Sequence, residues 1–216
     1  MDTISTYEMI RLSFDYYKPA MTIESNWYLI GIIIILFFAG LILKRRYSQW
    51  FNWYEMEIEI SGSPKAKFKV ERNNDNLYIA NRIYIELTTR KAAIPIDENN
   101  DVIEEVYNSW YKLFGIIRDE IKSVPGNYLK DHDPTKALMG LTTKILNEAL
   151  RPHLTEYQAR FRKWLEIEKQ KPENKEKSPQ EIQRKYPDYD KLIASMKQVN
   201  KTLMDYSNEL NKLIQG

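Results

Sequence analysis

The feature that most constrains this chain is an uninterrupted apolar run near its N-terminus. Residues 27–43 read WYLIGIIIILFFAGLIL, seventeen residues without a charged side chain. A helix built from this run has no polar face, whereas a surface helix of a globular protein keeps one. The run also lies at the short end of the length that spans a bilayer. We therefore predict a transmembrane helix over residues 27–46 and not a buried core helix.

The charges on the two sides of this run differ, and the difference predicts an orientation. Lys44, Arg45 and Arg46 follow the run directly, whereas the region before it is net acidic. Positive charge is enriched on the cytoplasmic side of membrane proteins. We expect a single-pass protein of a bacterial inner membrane whose C-terminal domain lies in the cytoplasm.

Residues 1–26 are predicted to form a short extracytoplasmic amphipathic segment. Its apolar residues recur at steps of three and four, the spacing of one helix face: Tyr7, Ile10, Phe14, Tyr17 and Met21. Such a helix either lies on the outer leaflet or lines the mouth of an oligomer. Plain anchoring and assembly around the apolar run both stay open.

Composition excludes several kinds of chemistry. The chain has no cysteine, so it has neither disulfides nor thiolate catalysis nor cysteine-based metal sites. Its 32 basic and 30 acidic residues nearly balance, so net charge indicates neither nucleic acid nor an acidic substrate. The only histidines are His132 and His153, and neither has further ligands at metal-binding spacing. We predict no metal and no cofactor.

The part that follows the apolar run begins with a pattern typical of strands. Residues 55–60 (EMEIEI) and 65–70 (KAKFKV) alternate polar and apolar side chains on either side of Ser61-Gly62-Ser63-Pro64. This alternation around a turn predicts a β-hairpin connector over residues 47–76.

Residues 77–216 have the periodicity of a helical bundle, so the fold class is mainly α with one small hairpin. We predict helices over residues 77–93, from a cap at residues 97–101 to residue 124, from Pro134 to residue 150, and over 154–167 and 189–214. Pro152 is expected to kink or end its helix. The charged residues 169–180 are predicted to be a solvated, mobile loop.

The last predicted helix carries apolar residues at the alternating three- and four-residue steps of a heptad seam. They are Tyr189, Leu192, Met196, Val199, Leu203, Tyr206, Leu210 and Leu213. Fewer than four heptads are present, which favours packing inside the bundle. An intermolecular coiled coil is the alternative.

One polar cluster interrupts the apolar bundle, at Asn147, Arg151 and His153. Three roles are open for it. Arginine and histidine near a helix end bond the last carbonyls and balance the helix dipole, or they contact another subunit, or they act in catalysis. The structural role is the one that needs fewest assumptions.

With this cluster near the end of a central helix, the bundle resembles a diverged HEPN domain. The resemblance implies a dimerising bundle that cleaves RNA through arginine and histidine. The usual motif separates arginine from histidine by four to six residues, whereas a single proline separates Arg151 from His153. We therefore expect no catalytic residue and no RNA cleavage, and a membrane-tethered HEPN-type ribonuclease remains the alternative.

The order of parts, an apolar helix before such a bundle, resembles the membrane accessory proteins of type VI-B CRISPR systems. The resemblance implies an antiviral accessory that forms a ring larger than a dimer and depolarises the membrane through a pore. Its expected partners are the membrane, further copies of itself, and an RNA-guided CRISPR effector or RNA. A membrane-anchored interaction protein of unknown partner is the second alternative.

A basic and aromatic group follows the cluster, at Arg160, Arg162, Lys163 and Trp164. These residue types bind RNA phosphates and stack bases, and they equally meet lipid headgroups. A solvated helix face explains them without any ligand.

Overall fold

The computed structural model describes residues 10–15, 17, 20–25, 27–50, 52–126 and 134–216. The chain divides into two compact units, Met1–Phe51 and Asn52–Gly216. The described part of the first unit consists of two strands and one helix, and the second unit is mainly helical and contains the hydrophobic core. His132 lies outside the described residues.

The described residues of the first unit include two strands where an amphipathic helix was expected. β1 (Ile10–Asp15) pairs antiparallel with β2 (Ala20–Ser25), with Ile10 opposite Ser25 and Asp15 opposite Ala20. The helix predicted through Ile10, Phe14 and Met21 is therefore wrong, and Tyr7 lies outside the described residues. A proline at position 19 disfavours a continuous helix here, because proline has no N–H to donate.

The apolar run forms most of α1 (Trp27–Trp50), which continues through Lys44, Arg45 and Arg46. Among the residues that the structure describes, no helix has the combined length and apolar character that a membrane crossing requires. The predictions of a transmembrane helix over residues 27–46 and of a single-pass inner-membrane protein are therefore wrong.

The second unit opens with the hairpin that the alternating pattern predicts. β3 (Trp53–Ile58) pairs antiparallel with β4 (Ala66–Glu71). Alternate side chains, Met56, Ile58 and Val70, are buried in the core. The chain turns through Ser61 and Gly62 at positive φ, 50° and 79°, a conformation that favours glycine.

Two helices follow the hairpin, and each begins at a polar contact. α2 (Asn74–Thr88) is capped by Asn73, whose side chain accepts from Asn76 N at 2.8 Å. α3 (Ile103–Ser123) buries one apolar face, which includes Val106, Trp110 and Leu113. The first N–H of α3 is capped by a residue distant in sequence: Ile103 N donates to Gln183 Oε1 at 2.9 Å. The cap expected from residues 97–101 is therefore wrong.

Residues 134–169 run as one helical path made of five pieces. These are α4 (Pro134–Ile145), a π-helical turn (Leu146–Leu150), the single turn α5 (Arg151–His153), a second π-helical turn (Leu154–Gln158) and α6 (Ala159–Lys169). Junction residues keep right-handed helical backbone angles. Pro152 therefore does not end the helix, which was one of the two predicted outcomes, and the chain absorbs the proline in the π turns.

The charged residues 169–180 are mostly exposed, as predicted for a solvated loop, and they are folded locally instead of being irregular. They contain a 3₁₀ turn (Pro172–Asn174) and lead into α7 (Pro179–Gln183). The buried Asn174 amide donates to Glu168 O at 2.9 Å and to Glu168 Oε1 at 3.0 Å. Ser178 and Glu181 form a capping box at the start of α7. Polar side chains bonding the backbone organise this segment, which hydropathy alone does not reveal.

The last helix, α8 (Tyr189–Gln215), buries its heptad seam inside the second unit. The buried members are Leu192, Met196, Val199, Leu203, Tyr206, Leu210 and Leu213. They pack against α2, the hairpin and the π-helical path. The seam is therefore core packing of this chain, as its short length favoured, and it is not left free for a coiled coil with another copy.

Candidate functional site

The predicted polar cluster lies where Pro152 interrupts the α-helical bonding pattern. Proline has no backbone N–H, so it donates nothing to the carbonyl of Glu148, four residues earlier. That carbonyl accepts from Ser61 Oγ of the hairpin turn at 3.0 Å. Just before the proline, Arg151 N donates to Leu146 O, five residues back. The proline thus explains the bulged geometry, and π bulges are frequent at functional sites.

His153 faces the interior of the second unit. Its side chain is 3% exposed. Nε2 lies 3.1 Å from the Tyr107 hydroxyl of α3, and Nδ1 lies 2.7 Å from Ser195 Oγ of α8. The rings of Trp110 and Tyr157 pack around the imidazole, with centroids 5.6 and 5.2 Å away. The imidazole joins three helical elements through both of its nitrogens.

Burial fixes the charge state of this imidazole. Desolvation disfavours the charged form and lowers the pKa of His153 from 6.5 to about 4. Burial likewise raises the pKa of the Tyr107 hydroxyl. Both groups are therefore neutral near pH 7. A neutral pair with both imidazole nitrogens engaged fits a structural hydrogen-bond network better than a general acid or base.

Arg151 faces the opposite way, toward solvent. Its guanidinium carbon lies 5.4 Å from the centroid of the Phe114 ring of α3, a cation–π contact. The side chain lines an open groove of about 370 Å³. The other lining residues are Tyr111, Phe114, Leu154, Thr155 and Gln158. The groove therefore lies between α3 and the second π turn.

The structure does not bring the three predicted cluster residues into one shared site. His153 is buried against α3 and α8, Arg151 lies in the open groove, and Asn147 is exposed in the first π turn. The spacing of arginine and histidine accounts for part of this, because a single residue separates them and they are two positions apart. Two residues correspond to roughly 200° around a helix, so the side chains point to opposite sides.

The basic and aromatic group in α6 is likewise divided. Arg160 and Lys163 are exposed. Arg162 donates to Asn108 Oδ1 of α3 at 2.8 Å. The Trp164 ring packs on Phe161 and Tyr186, at 5.9 and 5.2 Å between centroids. Arg162 and Trp164 thus contact residues outside α6 and hold this helix against them. Arg160 and Lys163 are exposed and accessible to a partner.

The residues that predict orientation lie within α1. The Lys44 side chain is exposed, and Arg45 and Arg46 are helical residues whose side chains lie outside the described part.

Sequence reasoning missed the partners that give the cluster its character, namely Tyr107, Phe114, Gln158, Ser195 and Ser61. Tyr107 adjoins the apolar stripe of α3, and its hydroxyl signalled a buried hydrogen-bond partner. The other four are distant in sequence from the cluster or unremarkable in type, so no local pattern marked them.

Among the described residues, no group of three or more histidine, aspartate or glutamate side chains is placed to hold a metal ion. No protein-family model matches this chain, and neither a curated protein nor a solved structure is significantly similar to it. Functional argument therefore rests on the residues themselves.

Proposed function

We propose that this protein is a non-enzymatic effector that assembles into a homo-oligomer larger than a dimer and perturbs lipid bilayers. The observation that carries the proposal is the surface of α1. Seven consecutive residues, 32–38, are exposed and apolar. Seven residues cover almost two helical turns, so apolar side chains face outward on every side.

The exposed apolar surface of α1 is unfavourable in water unless another molecule packs against it. Ile35 is 68% exposed, and its neighbours along the helix are similar. Burial of apolar surface contributes about 25 cal/mol per Å², and contiguous exposed apolar patches mark interaction sites. A partner on one side leaves the other side of this helix in water. Several copies packed side by side cover the sides of each helix that a single partner leaves in water.

The second unit supplies an argument for assigning assembly to α1. Its heptad seam, the other apolar surface that the sequence offers, is consumed in its own core. The apolar surface that remains is concentrated on α1. Closed cyclic symmetry is the common way for identical copies to bury such a surface.

The finer part of the proposal is the biological setting. We assign the protein to antiviral defence, as an accessory of an RNA-guided, RNA-targeting CRISPR effector. The support is the order of parts, an apolar helix before a helical unit with Arg151 and His153 at mid-helix. In this setting the effector is the trigger and the bilayer is the target.

The HEPN-type ribonuclease alternative has weaker support. Metal-free RNA cleavage needs an accessible histidine close to arginine, whereas His153 is buried and Arg151 faces a separate groove. Arg160 and Lys163 remain exposed, which suits contact with an anionic headgroup or a phosphate.

Dye release from lipid vesicles tests the proposal. The purified full chain should release dye from vesicles, and Ile35→Lys should abolish release, because a charge interrupts the apolar surface. Ile167→Lys is the matched control, since Ile167 is an exposed isoleucine of the second unit at 53%. It should release dye like the parent protein. No release by the parent, or equal loss in both variants, would contradict the proposal.

The defence setting has its own experiment. Phage should form fewer plaques on cells that carry a type VI-B effector and a phage-targeting guide when this protein is co-expressed. The benefit should disappear with Ile35→Lys. Equal plaque numbers with and without this protein would contradict the CRISPR assignment. The bilayer activity would then be tested by the vesicle experiment alone.

A further inference from the structure

Two lysine side chains converge on one oxygen atom beside α7. Lys177 Nζ donates to Asn174 Oδ1 at 3.2 Å, and Lys185 Nζ donates to the same oxygen at 2.5 Å. Lys177 precedes α7 and Lys185 follows it, so this short helix brings the two side chains together. Two like charges that share one neutral acceptor lie close enough to repel each other.

The orientation of the shared acceptor is fixed by its other contacts. The Asn174 side chain is 2% exposed. Its amide nitrogen donates to Glu168 O at 2.9 Å and to Glu168 Oε1 at 3.0 Å, and these two bonds use both of its N–H groups. The amide oxygen therefore faces the two lysines, because a rotated amide would place N–H donors against ammonium groups.

Neither of these two lysines has a carboxylate partner among the residues that the structure describes. Two carboxylates of the same segment are engaged elsewhere. Glu168 Oε2 lies 2.7 Å from Lys171 Nζ, and the Glu181 side chain accepts from Ser178 N and Ser178 Oγ. An ammonium group offers three N–H donors, so both lysines keep donors that an anion from solution can use.

The pair differs in its accessibility and in its readiness to lose a proton. Contact with the Lys177 side chain, then partial loss of water, then the Lys177 charge lower the pKa of Lys185. The charges of Glu168 and Glu173 oppose this lowering without cancelling it. Lys185 is exposed, whereas Lys177 is half-buried. A neutral amine is the reactive form of lysine, and a neighbouring cation favours that form.

We propose that Lys185 is a modification site that accepts an acyl group from small acyl phosphates, and that Lys177 binds the phosphate of the donor. The neutral Lys185 Nζ attacks the acyl carbon and forms an amide bond. The bond between this carbon and the phosphate oxygen breaks, phosphate leaves with the electron pair, and the amine proton passes to water. Lys177 keeps its charge and donates to the phosphate oxygens.

The modification removes one of the two like charges at Asn174, because an acylated lysine is neutral. Loss of that charge relieves the repulsion within the pair. The inference is independent of the proposed function, because it uses only the second unit and makes no use of α1.

Mass spectrometry of the purified full chain in mild detergent tests the assignment, with acetyl phosphate as the probe. Peptide mapping over time at about pH 7.5 should show Lys185 acetylated at least about threefold faster than Lys163. Lys163 is an exposed lysine of α6 and serves as the control within the same molecule. The difference should shrink as pH rises toward about 10, where ordinary lysines also lose their protons.

Two variants of the neighbouring lysine separate its charge from its packing. Lys177→Met removes the ammonium and keeps a side chain of similar length, so acetylation of Lys185 should slow to the rate of Lys163 and its pH profile should move to higher pH. Lys177→Arg keeps a cation that binds phosphate, and most of the parent rate should remain. An unchanged thermal midpoint checks that both variants are folded.

A donor without phosphate tests the second role of Lys177. The N-hydroxysuccinimide ester of acetic acid transfers the same acyl group from a leaving group that carries no phosphate. Its preference for Lys185 over Lys163 should be smaller than that of acetyl phosphate, because Lys177 has no phosphate to bind.

Three results would overturn the inference. The first is acetylation of Lys185 no faster than that of Lys163. The second is an equal rate at Lys185 in the parent and in Lys177→Met, which would show that the neighbouring ammonium does not activate this amine. The third is an equal preference for Lys185 with both donors, which would exclude phosphate binding by Lys177.

Discussion

Acid sensitivity centred on His153 is the prediction whose size follows most directly from the structure. The perturbation is a fall in pH from 7 to 4.5. The imidazole is buried, both of its nitrogens face hydroxyl groups, and the pKa of His153 is lowered from 6.5 to about 4. In the unfolded chain the imidazole takes up a proton near pH 6.5, whereas in the folded chain it resists until about pH 4.

The sign follows from which state binds the proton first. As pH falls below 6.5, the unfolded state gains protons that the folded state does not, so stability is lost. The loss is complete near pH 4, and above pH 6.5 this group causes none. The difference between a pKa of 6.5 and one of about 4, at about 1.4 kcal/mol per pH unit, gives a total of about 3.5 kcal/mol.

Urea unfolding monitored by circular dichroism measures this loss, with the free energy of unfolding determined at pH 7, 5.5 and 4.5. Carboxylates also titrate in this range, so His153→Gln isolates the histidine contribution. The parent should lose about 2 to 3 kcal/mol more than this variant between pH 7 and 4.5. Parallel pH profiles for the parent and His153→Gln would refute the buried, neutral imidazole.

Three further predictions concern other contacts of the second unit. Asn200→Ala should lower the free energy of unfolding in urea by about 3 kcal/mol, because its buried amide bonds Ala92 O, Ile94 O and Ile96 N; a loss below about 1 kcal/mol would show that water replaces these bonds. Pro152→Ala should raise that free energy by about 1 kcal/mol by restoring an N–H donor for Glu148, and a decrease would show that the π turns require the proline. Labelled RNA should stay intact with the purified protein, whereas cleavage that His153→Ala removes would establish the ribonuclease alternative.

The elements that the sequence predicts correctly are those with strong local periodicity. The hairpin alternates with period two, α3 carries an unbroken apolar stripe, and α8 carries a heptad seam. In each case the buried face is determined within the element, so a local pattern is sufficient.

The elements that the sequence misses depend on contacts between distant residues or on competing local preferences. The first-unit strands carry apolar residues at helical steps, yet they pair as a hairpin. Pro152 signals a helix end, and the π turns with the bond from Ser61 to Glu148 let the helix continue. A run of seventeen apolar residues resembles a membrane span in composition, yet no helix among the described residues is both long and apolar enough to be one.

The candidate site follows the same division. Arginine and histidine two positions apart on a helix are visible in the sequence, and so is the departure from HEPN spacing. The residues that surround Arg151 and His153 are not visible in the sequence, because they belong to α3 and α8. They are Tyr107, Ser195 and Phe114. In the folded chain, His153 therefore belongs to a buried hydrogen-bond network, whereas Arg151 lies in an open groove on the other side of the helix.

Self-assembly through α1 is the central claim, and the mass of the particle in mild detergent tests it most directly. Light scattering combined with size exclusion, corrected for bound detergent, should give a single species at a multiple of 25.8 kDa greater than two. Ile35→Lys should shift that species toward the monomer, and Ile167→Lys should leave it unchanged. A parent protein of 25.8 kDa under the same conditions would contradict the claim.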